Sequence, residues 1–329
     1  MTAPDPAVGE LSEGAILRRI LERLADSQAL VGPGDDAAVI AAPDGRVVAT
    51  VDTLVHGPDF RLAWSTAFDL GWKAAAVNLA DIAAMGARPT ALLVALAMPD
   101  QTRLSFVEGL ADGLRAACDL LAPGCAVEGG DLTVSDTLTI AVTALGSLDG
   151  RDAVLRSGAR AGDVVAIAGR PGRAARGLDV LFARFRDAAG APLPVDPSVL
   201  TPEERADLEV QLRPSPPLAL GPLAGEAGAT AMMDVSDGLV LDASRMAEAS
   251  GVCIWIDSAA LGDDPDAALT GGEDHALLAT FPTEAAVPGG FRVIGRVQPA
   301  GESAVLVDGA PHSGRAGWDP YRDWDARVG

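Results

Sequence analysis

The chain has 329 residues, a formal net charge of −21, 49% hydrophobic residues and only 4% aromatic ones. That apolar share excludes a disordered chain and leaves the core to Ala, Val, Leu and Ile. The acidity, with no run of Lys or Arg to offset it, excludes nucleic acid and anionic membrane surfaces as partners. Cys118, Cys125 and Cys253 form no disulfide framework and no CxxC pair. No basic-then-apolar signal pattern opens the sequence, and every apolar stretch is broken short of the ~20 residues of a membrane span. The sequence therefore predicts a cytoplasmic protein with two domains or one large one.

Taken in chain order, residues 12–24 predict an amphipathic helix with Ile16, Leu17, Ile20 and Leu24 on one face. The loop VGPGDD follows at 31–36, then a short buried strand at 47–51 that ends in Asp52. Residues 66–85 give the clearest helix. Thr66 and Asp69 fit a capping box, Leu70, Ala74, Val77 and Ala84 recur at helical spacing, and Gly86 and Pro89 end it. A strand is predicted at 91–98, a helix at 104–121 and a strand at 138–146. Gly, Asp and Arg cluster at 146–162, which divides the chain into domains at 1–148 and 149–329. Residues 163–168 predict a strand entering the turn GRPG. Thr201, Pro202 and Glu204 mark a helix start between Pro-rich loops. Residues 229–233 predict a strand and 238–249 a helix, with Leu239, Ala243 and Met246 inward and Gly251 at its C-terminal cap. Strands and helices mix in both halves, so the fold class is α/β (α+β layered), with helices on a sheet in each half.

The chemistry lies in where certain acids fall. Gly32-Pro33-Gly34-Asp35-Asp36 sets two carboxylates after a flexible turn, and Asp52 ends an apolar strand, where α/β proteins bind ligands. Asp81 shares a helix face with Asn78 on an Ala-rich helix, and a bare buried carboxylate there needs a cation or hydrogen bonds. Glu128-Gly129-Gly130-Asp131 pairs an acid with backbone open to an anion; it is not a Walker A loop, since no GK[ST] follows. In Asp234-Val235-Ser236-Asp237-Gly238, Ser236 is placed to cap the next helix, and a helix N-terminus also suits phosphate. Gly271-Gly272-Glu273-Asp274-His275 repeats the pattern of glycines beside acids. Oxygen donors with almost no His or Cys select Mg²⁺, Mn²⁺ or Ca²⁺ over zinc, and scattered carboxylates suit metal-bridged phosphates.

Read together, GDDAAVI (34–40), VDTLV (51–55), GWKAAAVNLADIAAMGARP (71–89), GGD (129–131), LRSGARAGD (155–163), DVSDGL (234–239), GGED (271–274) and GWDPY (317–321) resemble the thiamine-monophosphate kinase family, in the family's order over nearly the whole chain. This family belongs to the aminoimidazole ribonucleotide synthetase-like superfamily. The resemblance implies ATP-dependent, Mg²⁺-assisted phosphorylation of thiamine monophosphate to thiamine diphosphate. It also implies a homodimer through the N-terminal domains and an active site in the cleft between the domains. By the same resemblance Asp36, Asp52, Asp81, Asp131, Asp234 and Asp237 fall on metal positions, with Thr50 and the backbone of Val51 beside them. Gly130, Asp131, Arg156 and Ser236 fall on ATP contacts, and Glu273 and Trp318 on substrate contacts. Asp59 stands where the family often has a substrate-contacting His, with His56 and Arg61 as the nearest compensating residues. A phosphate oxygen is already anionic, so no general base is assigned. Two alternatives are a superfamily enzyme acting on another phosphate acceptor and a non-catalytic Mg-nucleotide-binding protein.

Overall fold

The computed structural model describes residues 5–24, 26–33 and 37–318. Its first half runs α1 (Glu13–Leu21), β1 (Val48–Val55), α2 (Ala67–Ala84), β2 (Arg88–Met98), α3 (Leu104–Leu121), β3 (Ala126–Val134) and β4 (Thr139–Ser147). The strands form one sheet in the order β1-β4-β2-β3. The pairs are antiparallel except β2 with β3, which run parallel on either side of α3.

Both arms of the Thr66–Asp69 capping box close the N-terminus of α2. Its far end stops at Gly86, whose φ of 72° favours a residue without Cβ. A chain poor in aromatics packs this helix through alanine: Ala74, Ala75, Ala76, Ala80 and Ala83 are all 0% exposed. Such small residues let α2 and α3 touch backbone to backbone. A Cβ on Gly71 would sit 2.0 Å from the Leu110 carbonyl oxygen, and one on Gly113 2.1 Å from that of Phe68. Gly71→Ala or Gly113→Ala is therefore expected to force the helices apart at a cost of about 1–3 kcal/mol. A urea-unfolding midpoint equal to wild type would refute that close contact.

The second half runs β5 (Val164–Ala168), α4 (Arg173–Arg184), α5 (Pro202–Leu212), α6 (Leu220–Glu226), β6 (Ala231–Val235), α7 (Leu239–Ser250), β7 (Val252–Ile256), α8 (Pro265–Thr270), β8 (Ala276–Phe281), β9 (Phe291–Pro299), β10 (Val305–Val307) and β11 (Ala310–Pro311). Its seven strands are ordered β11-β10-β7-β9-β5-β8-β6. A core of Leu239, Ala243, Met246 and Ile254 lies under α7, and a smaller one of Ala166, Met232 and Phe281 takes in Ala84 from α2.

The two halves are tied at several points along α2 and the segment just before it. The Trp64 indole N–H donates to the Phe185 carbonyl (3.1 Å) and that of Trp72 to the Pro214 carbonyl (2.7 Å). Arg213 pairs with Asp69 at 3.3 Å. Gly221 abuts the Ala83 carbonyl, where a Cβ would come within 2.1 Å.

Two sequence expectations change, and two further features of the fold are not assigned by the sequence. The first strand runs through Asp52 instead of ending there, because Thr53, Leu54 and Val55 keep pairing with β4. Residues 128–131, to which the sequence reading assigns no secondary structure, lie within β3. Helix α4 carries no local cap; its N-cap Gly172 is left-handed at φ 93°. Ser236 does not cap α7, whose N-cap is Gly238.

Helices α4 and α5 are joined by Asp207, which is 3% exposed and accepts from Arg173 Nε at 2.7 Å and Arg176 Nε at 2.8 Å. Burial pushes its pKa up, but the Arg176 and Arg173 guanidiniums outweigh burial and hold it below the ordinary 3.8. A carboxyl with a lowered folded pKa adds stability above its unfolded value, and this is lost as pH falls through the folded one. Asp207→Asn is expected to cost about 1–3 kcal/mol, the range for hydrogen bonds to charged groups lost beside partly exposed guanidiniums, and to remove that part of the acid-unfolding limb. Melting curves across acid pH check both.

Candidate active site

Strand β1 turns Thr50 and Asp52 toward α2. Thr50 Oγ1 donates to Asp81 Oδ2 at 2.7 Å, and the Asp52 N–H donates to Asn78 Oδ1 at 2.8 Å. Asn78 is itself fixed by donating Nδ2 to the Ala74 carbonyl at 2.9 Å. A buried amide and a helical acid three residues on thus set the position of β1.

From the other half comes the turn between β6 and α7. The α7 N-terminus is closed by Asp242, fully buried, whose Oδ2 accepts from the N–H groups of Asp237 (3.0 Å) and Gly238 (3.2 Å). Arg245 binds Asp237 Oδ2 at 2.6 Å and Asp242 Oδ1 at 2.7 Å. Against this turn lies the loop 271–275. The Glu273 N–H donates to the Ser236 carbonyl at 2.8 Å, and a Cβ on Gly272 would meet that same oxygen at 2.3 Å. Glu273 and His275 take φ of 71° and 52°, a left-handed backbone that costs energy in residues other than glycine and recurs at functional sites. The strained loop fans out three neighbouring side chains. Glu273 pairs with Lys73 of α2. Asp274 accepts from Gly172 N (2.7 Å) and Ala174 N (3.0 Å), supplying the cap that α4 lacks locally. His275 Nδ1 meets Asp234 Oδ2 at 3.1 Å.

The electrostatics show that acids from both halves share one space. Burial raises the Asp52 carboxyl, and Asp234, Glu273 and Asp237 raise it further against the pull of His275. Asp81 is pushed up to about 7, first by burial and then by Asp234 and Asp52, against the Thr50 bond. Burial lowers His275, but Asp234 outweighs it and the imidazole titrates above its ordinary value. Asp81, Asp234 and Asp237 each spend one oxygen on a protein partner and keep Oδ1, while the Asp52 carboxylate accepts no hydrogen bond from the described residues. Mutually repelling carboxylates with spare oxygens are a donor set for hard divalent cations. Among the described residues no three acids converge as a closed metal cage.

Other predicted residues fall elsewhere. Asp52, Val142, Val94 and Gly130 form one row across the sheet, so Gly130 and Asp131 lie at the opposite edge, three strand spacings or about 14 Å from Asp52. The Val51 side chain points to the uncovered face of the sheet and is 59% exposed. The Arg156 carbonyl accepts from Ser250, at the end of α7 remote from Asp237, so Arg156 does not join the cluster. Asp36 lies outside the described residues, as does the end of the GWDPY motif.

Asp59, Glu273, Ser236 and Trp318 line a cavity of about 500 Å³ beside the acid cluster. Its wall includes Trp64 and Phe182, with the Arg61 guanidinium 4.8 Å and 5.3 Å from their ring centres, and Arg315 stacks 5.1 Å from the Trp318 ring. Asp59 Oδ2 accepts from the Val55 N–H at 2.7 Å, which gives this acid a part in holding the end of β1. Of the two compensating residues, Arg61 lines the cavity, whereas His56 packs its ring on Phe60 at 5.6 Å. The sequence reading missed Phe182, Asp242 and Lys73. Composition could have found the last: of the 25 Lys and Arg residues, Lys73 is the single lysine.

Two layered sheet-and-helix halves with an acid-lined cleft between them define an AIR synthase-like protein. Residues 34–148 match the family described as AIR synthase related protein, N-terminal domain. The thiamine-monophosphate kinase of Mycobacterium tuberculosis (strain CDC 1551 / Oshkosh) is 41% identical over 99% of this chain and 96% of its own length. The crystal structure of thiamine-monophosphate kinase from Stenotrophomonas maltophilia K279a is 34% identical with a TM-score of 0.73, covering 91% of this chain and 96% of that one. AaThiL complexed with AMPPCP and TMP is 32% identical, also at a TM-score of 0.73, covering 94% and 97%. The chain belongs to the thiamine-monophosphate kinase family.

Proposed function

We propose that this protein transfers the γ-phosphoryl group of ATP to thiamine monophosphate, giving ADP and thiamine diphosphate. The observation that carries this reading is an acid cluster, contributed by both halves, that opens directly onto an aromatic and cationic cavity in a member of this family. A terminal phosphate oxygen of the acceptor attacks the γ-phosphorus in line. The bond from that phosphorus to its bridging oxygen breaks, and ADP leaves with the bridging oxygen. The attacking oxygen is already anionic, so no side chain has to remove a proton. Positioning and charge neutralisation supply the rate.

Asp36, Asp52, Asp81, Asp131, Asp234 and Asp237, with Thr50 and the Val51 backbone, would hold Mg²⁺. The metal supplies the positive charge that lets phosphate sit among carboxylates. Gly130, Asp131, Arg156 and Ser236 are assigned to ATP, and Asp59, Glu273 and Trp318 to the acceptor.

We assign the domains to residues 1–148 and 149–329, one sheet in each, and a homodimer formed through the first. One face of the four-stranded sheet is covered by α2 and α3. The other presents Val51, Leu93 and Ala95, and no strand among the described residues pairs with the outer edges of β1 and β3. Joining β3 of one copy beside β1 of a second covers that face, pairs both edges and carries Asp131 toward the second copy's acid cluster. No helix among the described residues is long and apolar enough to cross a membrane, and a cytoplasmic location accords with ATP as co-substrate.

The test is product analysis after incubation with ATP, Mg²⁺ and thiamine monophosphate. Equal amounts of ADP and thiamine diphosphate are expected, and none with excess EDTA. Turnover only with a different phosphate acceptor would replace the substrate. Nucleotide binding without product on any acceptor would leave a binding protein.

A further inference from the structure

We infer that Lys73 contacts the acceptor phosphate and the phosphoryl group in transit, through the N–H that the protein leaves open. This rests on the reading above and adds to it a residue in direct contact with the reacting groups. Everywhere else this chain meets the need for a cation with arginine; one lysine remains, on α2 at 5% exposure. The two side chains are not interchangeable. Arginine needs room for a planar fork, whereas an ammonium is a compact point charge with three tetrahedral donors.

Two of those donors are accounted for. Nζ donates to the Gln211 carbonyl at 3.2 Å, at the end of α5, and pairs with Glu273 on the strained loop. No third acceptor lies among the described residues, and Lys73, Gln211 and Glu273 all line the cavity. The position is the boundary between the two ligand spaces. The charge of Lys73 acts on Asp59 on the cavity side and on His275, which holds Asp234, on the acid side. Glu273 neutralises the ammonium without saturating its donors. A phosphate entering beside Asp52, Asp234 and Glu273 needs a fixed cation to offset those charges, and Lys73 stands between the two spaces.

Being the only lysine, Lys73 can be observed without mutation. In full-length protein labelled with ¹⁵N-lysine a single side-chain Nζ resonance is expected. It should shift when thiamine monophosphate is added to the Mg-ADP-bound protein and stay in place when thiamine, which lacks the phosphate, is added instead. A resonance unmoved by saturating thiamine monophosphate, or moved equally by thiamine, overturns the inference. In kinetics, Lys73→Met should lower kcat by about 10²–10³-fold, the range for removing one donor to a developing oxyanion, and Lys73→Arg should not restore it. Glu273→Gln should act mainly on the acceptor KM. If Lys73 only latches the two halves, Lys73→Met and Glu273→Gln will lose kcat and Tm to the same degree, and that equality also overturns it. Should Lys73→Met not fold, the wild-type resonance decides. Wild-type protein that makes no thiamine diphosphate defeats the proposed function. Active wild type with Lys73→Met kcat within about twofold defeats this inference alone.

Discussion

Asp52→Asn is expected to lower kcat by about 10²–10³-fold while the metal-free protein melts at the wild-type temperature or slightly above it. On the proposed assignment of Asp52 to Mg²⁺, the loss follows from removing a charged oxygen donor next to the transferring group. The unchanged fold follows from the local bonding. Only the Asp52 backbone N–H is engaged, by Asn78, and its carboxylate has no hydrogen-bond donor among the described residues. Burial and the neighbouring Asp234, Glu273 and Asp237 oppose its charge, so the isosteric amide relieves repulsion. An active-site group held against its own stability is the pattern behind trade-offs between stability and activity. The paired measurement is thermal melting with and without Mg-ATP. Wild type should gain Tm on ligand binding, and the variant should gain little. A variant with wild-type turnover would remove Asp52 from the metal site.

Leu93→Glu is expected to give a monomer with little or no turnover. Leu93 stands on the uncovered face of the four-stranded sheet, where its side chain lies over Gly129, 3.2 Å from the position of a Cβ there. In the homodimer proposed above, Leu93→Glu would bury an unpartnered carboxylate at an apolar interface, which costs several kcal/mol, enough to dissociate an ordinary homodimer at micromolar concentration. Activity should fall with association, because Asp131 sits at the sheet edge remote from its own chain's Asp52. Light scattering gives the mass and the product assay gives the rate. A dimeric, active Leu93→Glu protein would show that copies meet elsewhere or not at all.

What could be read from the sequence was what is specified locally. Helix α2 carries its own start in Thr66 and Asp69 and its own stop in Gly86, so its span and the position of Asp81 were legible to within a residue. Helix α4 was not, because its cap arrives from Asp274, 102 residues away. Strand β3 was hidden by Gly129 and Gly130, which depress strand propensity. The structure shows that at least one of them is needed there, since a Cβ on Gly130 would strike the Val94 carbonyl oxygen at 2.1 Å. The acids of the site were recognisable by type and by their glycine neighbours, but type does not say which acids meet. Asp52, Asp81 and Asp234 gather only because two sheets dock, and Asp131 was grouped with them although the sheet order separates it. Glu273, Asp274 and His275 read as one local group beside glycines, yet the left-handed backbone at Glu273 and His275 sends each of the three to a different task.

The indole bonds from Trp64 and Trp72 have an optical consequence. Both rings belong to the first half, both are buried, and each donates to a carbonyl of the second. They are two of the five tryptophans in the chain. Detachment of the halves would wet both rings at once and shift emission to the red, with no label attached. Ligand closure that leaves these bonds intact would leave their emission almost unchanged. With Trp255, Trp318 and Trp324 replaced by Phe, the fluorescence of Trp64 and Trp72 separates rigid-body opening of the cleft from rearrangement of the loops around it.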